Sequence, residues 1–247
     1  MIVWFHSEKV SVITLSEFPK DFFGFHFYRR AMSYTILLEM RGTYSWKPAF
    51  QRLLMPLVEC LGRAGVRANQ VTCAAGIISV LTGGFLWRTD DRRWFLLLPA
   101  VLFARMGLNA ADGMLARQFS QQSKLGIYLN ELSDVISDTF LYLPFVHLPG
   151  FRPFWIWTAV VLAVIGEMAG TLGVMAGSNR RYDGPMGKSD RAIVFGALGL
   201  IVGLSSRIPP AVGYFVPKAL VLLLTLTIIN RVRAGLDQGE ENHAPLQ

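Results

Sequence analysis

Four carboxylates interrupt an apolar part of the chain between residues 109 and 138. They are Asp112, Glu131, Asp134 and Asp138. A charged side chain at the centre of a membrane helix costs about 2.5–3.5 kcal/mol on insertion scales, so such residues mark functional sites by default. Their types and spacing therefore give the first indication of chemistry.

The spacing predicts two polar helical stripes. One consists of Arg105, Asn109, Asp112 and Ala116. The other consists of Gly126, Asn130, Asp134 and Asp138. A short turn joins the two segments, so we expect antiparallel helices whose polar stripes face each other. Oxygen ligands without Cys or His favour a hard cation such as Mg²⁺ or Mn²⁺.

Small residues accompany the acids. Gly113, Ala116 and Gly126 remove side-chain bulk where a ligand or a backbone must approach closely. The structural alternative is helix packing through small residues, with the acids paired to Arg105 or Arg117. Paired acids beside glycines at one end of two helices favour the functional interpretation.

Long apolar runs predict an all-α polytopic membrane protein. The chain has 247 residues, is 52% hydrophobic and has a mean hydropathy of +0.39. A helix needs about 20 apolar residues to cross a bilayer. Six segments meet or approach this length: 70–88, 94–116, 124–148, 154–177, 191–206 and 212–230. An amphipathic helix over 44–62 is expected to precede them in the membrane interface. Two cysteines exclude a disulfide framework.

Basic residues predict the orientation. Thirteen Lys and Arg residues of the membrane domain fall on the side of the N-terminus and six on the opposite side. The positive-inside rule then places both termini, the 117–124 turn and the 178–191 loop in the cytoplasm. It also explains the net charge of +7 without nucleic acid. We expect three parts: an N-terminal extension (1–43), one membrane domain (44–234) and a cytoplasmic tail (235–247).

One motif has a recognisable order. Asp112-Gly113-x-x-Ala116-Arg117 is followed by Gly126 after eight residues, then by Asn130 and Asp134 at intervals of four. This resembles the signature of the CDP-alcohol phosphatidyltransferase family. The stretch RANQVT, which contains Asn69 and Thr72, is similar to the family's entry motif, with Ala68 in place of the usual proline. The resemblance covers about residues 44–234.

The resemblance implies an enzyme of phospholipid biosynthesis. It would transfer a substituted phosphate, such as phosphatidyl, from a CDP-linked lipid to a small alcohol or alcohol phosphate, releasing CMP. Family acids hold two divalent metals, Mg²⁺ or Mn²⁺, and the residue matching Asp134 acts as general base. The resemblance places Asn69, Asp112, Gly113, Ala116, Arg117 and Gly126 around the CDP-alcohol. It also implies a homodimer among membrane lipids, in a bacterial inner membrane, with the site facing the cytoplasm.

Two positions depart from the family pattern. Asn109 and Asn130 stand where the family has aspartates, so the matched ligands carry a charge of −2 instead of −4. This Asn pattern suggests a bacterial branch of the family. We expect Asp112 and Asp134, helped by the two amides, to hold one metal, while a second arrives with the nucleotide. Glu131 lies about 100° round the helix from Asn130 and is an imperfect substitute.

The loop SNRRYDGPMGKSDRA, residues 178–192, is the expected acceptor side. Asp183-Gly184-Pro185 predicts a turn. We expect Arg180, Lys188 and Arg191 to contact a phosphate or an anionic head group, which leans towards an acceptor such as glycerol 3-phosphate.

Two acids that lie deeper in the predicted spans are candidate partners of Arg105. Asp138 is expected to pair with it. Glu167 is either another partner of Arg105 or part of the acceptor pocket.

Two other classes of function remain open from the residues alone. Arg105, Asp138 and Glu167 could form the path of an ion or solute carrier. A catalytically inactive family member could serve as a membrane scaffold. The clustering of acids at one mouth favours the enzyme.

Overall fold

The computed structural model describes residues 47–205 and 207–243, with side chains placed for 50–205 and 207–238. The predicted extension (1–43), residues 44–46 and the last four residues of the tail lie outside this part. Its regular structure is helical throughout, with seven α-helices. They are α1 (Lys47–Arg63), α2 (Ala68–Arg88), α3 (Leu97–Gln118), α4 (Lys124–Tyr142), α5 (Pro153–Met175), α6 (Lys188–Leu204) and α7 (Pro210–His243). Short 3-10 helices, Arg92–Leu96 and Leu143–His147, precede α3 and follow α4.

Four helical segments of the described chain are long and apolar enough to cross a membrane. They are Ala68–Arg88, Arg92–Gln118, Pro153–Met175 and Pro210–Gln238. The other two predicted spans correspond to α4 and α6. Helix α4 carries Glu131, Asp134 and Asp138 and so is less apolar. Helix α6 has 17 residues, about 25 Å, which is short for a hydrocarbon core of about 30 Å. These four candidate spans indicate an integral membrane protein.

Two apolar cores hold the helices together. The larger one contains Phe95, Leu141, Phe145 and Phe195, with Leu220 and Leu224 of α7. The smaller one joins α1, α2 and α3 through Val58, Val71 and Leu115. Large apolar side chains such as Phe103 and Leu81 remain 64% and 67% exposed. Outward-facing apolar residues of this kind suit contact with lipid.

Helix α1 has one buried face. Val58 is fully buried in the smaller core, whereas Leu53 on another face is 74% exposed. The segment predicted to be amphipathic is therefore helical from Lys47, and its position at the membrane surface stays a prediction. At the other end of the chain, α7 continues past residue 234 to His243.

The turn between α3 and α4 is short, as the two-stripe prediction required. Ser123 caps α4, since its side chain accepts a hydrogen bond of 2.9 Å from the backbone N–H of Gly126. Ser120 adopts a positive φ of 53° in the same turn. The C-terminal end of α3 and the N-terminal end of α4 therefore lie side by side.

A close approach of α2 to α4 makes one glycine testable. A Cβ on Gly83 would lie 2.1 Å from the backbone oxygen of Phe140, whereas one on Gly84 would meet nothing within 4 Å. We expect Gly83→Ala to destabilise the protein by about 1–3 kcal/mol, because a backbone oxygen cannot move aside locally. Gly84→Ala should be neutral or stabilise by up to about 1 kcal/mol.

Thermal unfolding in detergent provides the measurement for this pair. The expected order of unfolding midpoints is Gly83→Ala below the native protein, and Gly84→Ala at or above it. Equal midpoints for the two variants would contradict the packing of α2 on α4.

Candidate active site

Asp134 lies at the centre of the site and is 4% exposed. Its Oδ1 accepts hydrogen bonds from Arg105 Nη2 at 2.8 Å and from Asn109 Nδ2 at 2.6 Å, both on α3. Its Oδ2 is bonded to the ammonium of Lys188, the first residue of α6. Three donors from two other helices therefore fix the position of this carboxylate.

Asp112 faces the site from α3 and is also buried. Its Oδ2 accepts a hydrogen bond of 2.6 Å from Thr72 Oγ1 near the start of α2. Asp112 also interacts electrostatically with Asp134 and Lys188. The threonine of the entry motif thus has a physical role, because it orients an acid of the second motif.

The two asparagines occupy different positions. Asn109 donates directly to Asp134, an interaction that an aspartate could make only when protonated. Asn130 is half-buried on α4, one turn before Asp134. Glu131, the neighbouring acid, forms an ion pair with Arg180.

The donor atoms at this site fit one divalent cation. Asp112 and Asp134 supply two negative charges, and Asn109 and Asn130 supply amide groups on the same helices. Mg²⁺ and Mn²⁺ prefer such hard oxygen ligands and complete their shells with water or phosphate. In the described residues, no group of three or more His, Cys, Asp or Glu side chains could hold a metal.

An open recess lies at the start of α2, next to the turn between α3 and α4. Its volume is about 370 Å³, and it is lined by Gly65, Arg67, Ala68, Asn69, Gln121 and Ser123. Gln121 accepts a hydrogen bond of 2.7 Å from the backbone N–H of Ala68, which ties the α3–α4 turn to α2. A Cβ on Gly126 would lie 2.9 Å from Asn69 Oδ1. A side chain at 126 would therefore push the Asn69 amide out of its present position.

The remaining motif residues sit at the end of α3. Arg117 is exposed, and its guanidinium Nη1 lies 3.5 Å from the place where a Cβ on Gly113 would be. Ala116 packs against the smaller core. The structure therefore brings Gly113 and Arg117 together on the same helix end as Asp112.

One turn further along α4 from Asp134, buried ion pairs join five helices. Asp138 pairs with Arg105 at 2.6 Å and with Arg191 at 2.8 Å. Glu167 on α5 pairs with Arg191 at 2.9 Å, with Arg180 at 3.3 Å and with Arg231 of α7 at 3.5 Å. Arg191 is only 1% exposed. We call Arg105, Asp138, Glu167, Arg191 and Arg231 the buried ion network.

The loop before α6 is held against α7. Gly184 has a φ of +116°, and a Cβ there would lie 2.6 Å from the Cα of Thr227. Thr227 Oγ1 accepts a hydrogen bond of 3.0 Å from the backbone N–H of Met186. These contacts hold the loop that leads into α6, which begins with Lys188 and carries Arg191 in its first turn.

Some expected contacts are found and others differ. The pairing of Arg105 with Asp138 is confirmed. Two alternatives were open for Glu167, and its ion pairs in the described residues are with Arg191, Arg180 and Arg231, not with Arg105. Its place in an acceptor pocket stays a prediction. The bond from Lys188 to Asp134 was not predicted from the sequence. The burial of Arg231 was not predicted either, although its place in an apolar helix was a signal of burial.

The sequence matches a known family over most of this helical domain. Residues 66–229 match the family described as CDP-alcohol phosphatidyltransferase. The chain belongs to this family, which confirms the resemblance, and it is a phosphotransferase for substituted phosphate groups. Members of the family use divalent metal ions, Mg²⁺ or Mn²⁺.

One relative is similar over nearly its whole length. The inner membrane protein YnbA of Escherichia coli (strain K12) is 45% identical over 193 residues, which cover 78% of this chain and 96% of YnbA.

Solved structures share the fold. The phosphatidylinositol phosphate synthase of Mycobacterium tuberculosis, crystallised with manganese and citrate, has a TM-score of 0.63 at 16% identity. The match covers 78% of this chain and 92% of that one. The same synthase with CDP-DAG bound gives 0.59 at 17% identity, covering 79% and 99%.

The buried ion network predicts a large effect of one substitution. Asp138→Asn removes one buried negative charge that Arg105 and Arg191 share, leaving Arg105 only Asp134 and Arg191 only Glu167, and we expect a loss of about 3–5 kcal/mol in stability. Glu59→Gln, which breaks an exposed pair with Arg63 on α1, should cost about 0.5 kcal/mol or less.

Denaturation of the purified protein, followed by helix content, measures both changes. If Asp138→Asn unfolded at the same denaturant concentration as Glu59→Gln, the network would not contribute to stability.

Proposed function

We propose that this protein transfers a phosphatidyl group from CDP-diacylglycerol, or a closely related CDP-alcohol, to the hydroxyl of an acceptor and releases CMP. The observation that carries this proposal is that two buried carboxylates interact electrostatically in one site. Thr72 orients Asp112, and Lys188 orients Asp134. The family and the CDP-DAG-bound synthase of the same fold support it.

In this proposal the motif residues divide into a metal site and a donor site. Asp112 and Asp134 hold the divalent ion, assisted by Asn109 and Asn130. A bound Mg²⁺ or Mn²⁺ neutralises charge on the diphosphate of the donor. Donor contacts come from Asn69, Gly113, Ala116, Arg117 and Gly126. The recess beside Asn69 is the place for the nucleotide.

Asp134 is the proposed general base. The acceptor oxygen bonds to phosphorus, the bond from phosphorus to the CMP oxygen breaks, and Asp134 takes the hydroxyl proton. Arg105 and Asn109 hold Oδ1 in place throughout. The Lys188 side chain is 30% exposed and is the donor able to turn from Oδ2 towards phosphate oxygens. That movement uncovers the oxygen that receives the proton.

The membrane arrangement extends the same proposal. We place α4 and α6 across the bilayer with the four apolar spans, giving six, and α1 at the interface. The motif end of the bundle then faces the cytoplasm of the inner membrane, as the basic residues predict. The division into residues 1–43, 44–234 and 235–247 and the homodimer stay predictions.

CMP release tests the proposed reaction. Purified protein with CDP-diacylglycerol, Mn²⁺ and a panel of alcohols should release CMP. Asp134→Asn should lower the rate by about 10²–10⁴-fold, because the proton acceptor is lost. The control is Asp90→Asn, an exposed acid just beyond the far end of α2, which should keep the native rate.

The same assay separates the alternatives. Release that survives in Asp134→Asn would remove this residue from the role of base. No release with any alcohol would instead favour an inactive scaffold or a carrier.

Metal stoichiometry gives a test that is independent of turnover. Two carboxylates predict one tight Mn²⁺ site in the protein without nucleotide, observed by electron paramagnetic resonance of free Mn²⁺. Asp112→Asn should weaken this site by about tenfold or more, since half of the ligand charge is removed. The double variant Asn109→Asp, Asn130→Asp should gain a second site. Two tight sites in the native protein would contradict the assignment.

A further inference from the structure

Every basic residue expected to recognise an acceptor phosphate is already paired with an acid. Lys188 bonds to Asp134, and Arg191 is buried between Asp138 and Glu167. Arg180 forms an ion pair with Glu131 and lies 3.3 Å from Glu167. The positive charge of the 178–191 loop is therefore largely neutralised inside the protein.

Arg180 is the cation whose pairing decides whether the site can bind an acceptor phosphate. Its side chain is 20% exposed and that of Glu131 is 23% exposed, so both reach the surface of the site. Tyr182 also stacks on its guanidinium, which lies 4.9 Å from the ring centroid. Arg180 is thus held on three sides, by Glu131, Glu167 and Tyr182.

Glu131 lies next to the chemistry. It precedes Asp134 by three residues on α4, so both side chains share one helix face. A phosphate that reached Arg180 would have to displace the Glu131 carboxylate or lie beside it. Either arrangement places like charges close together in a poorly solvated region, which is unfavourable.

Charge balance at the site leads to the same conclusion. The side chains joined by ion pairs comprise five cations and four anions. They are Arg105, Arg180, Lys188, Arg191 and Arg231, with Glu131, Asp134, Asp138 and Glu167. Asp112 beside them cancels the surplus. One divalent ion then balances the donor diphosphate. Every cation of the 178–191 loop is already paired with an acid, so an acceptor dianion there would have to displace one of these acids.

We infer that the acceptor is an uncharged hydroxyl compound, and that Glu131 determines this specificity by keeping Arg180 from an acceptor phosphate. This inference rests on the proposed function and names the substrate class of the same site. It reverses the expectation of a phosphorylated acceptor that the basic loop suggested. The Glu131 carboxylate also provides an acceptor for the hydroxyl groups of a polyol.

The test compares alcohols with their own phosphates. Purified protein with CDP-diacylglycerol and Mn²⁺ is given glycerol, myo-inositol and sorbitol, each beside its monophosphate, and CMP release is measured. An uncharged member should show a kcat/KM at least about tenfold above that of its phosphate. A preference for the phosphates would overturn the inference and leave the proposed function standing. No CMP release with any of the six would overturn both.

Glu131→Gln tests the residue itself. It releases Arg180, so kcat/KM for the best phosphorylated acceptor should rise about tenfold relative to the native enzyme. Adding Arg180→Gln should abolish this gain. The matched control is Asp183→Asn. It removes the negative charge that pairs with Arg181 in the same loop, and it should not raise kcat/KM for the phosphorylated acceptor.

Thermal unfolding of all three variants shows that they are folded. A folded Glu131→Gln protein without improved use of any phosphate, or an equal gain in Asp183→Asn, would overturn the role of Glu131.

Discussion

The buried ion pairs around Asp138 are the interaction on which the site depends. Asp138 binds Arg105 of α3 and Arg191 of α6. Arg191 also binds Glu167 of α5. In a low-dielectric interior, each of these charges is stable only while its partners stay in place. Since the partners come from different helices, the network forms only when the bundle is assembled. Arg105 binds both Asp138 and Asp134. Assembly of the bundle therefore also fixes the position of the Asp134 carboxylate.

Apolar packing and small residues make that arrangement possible. Helix α2 contacts α4 closely enough that a Cβ on Gly76 would lie 2.7 Å from Ser133 Oγ. Thr72 can therefore bond to Asp112 while Asn69 lies against Gly126, one turn apart on α2. The polar ends of α2, α3, α4 and α6 then gather at one end of the bundle, where we propose the nucleotide site. The charges that make α4 a poor lipid-facing helix are covered by its neighbours.

Much of the site follows from spacing alone. Residues three or four apart share a helix face, so spacing predicted that Asn109 faces the carboxylates, and Asn109 does donate a hydrogen bond to Asp134. The role of Asn130 stays a prediction. The pairing of Arg105 with Asp138 followed because a buried charge needs a partner. The contact of Lys188 with Asp134 spans 54 residues. It depends on how α6 packs against α3, which no local pattern encodes. The Glu131–Arg180 pair, which joins α4 to the loop before α6, was missed for the same reason.

The proposed reaction requires that Asp112 and Asp134 together hold the divalent ion, in a site shaped by these ion pairs. Anomalous diffraction from crystals of the protein grown with Mn²⁺ locates that ion directly. We expect one manganese peak coordinated by the carboxylates of both residues. A manganese peak bound elsewhere, with Asp134 still bonded to Lys188 and Asp112 still bonded only to Thr72, would contradict it.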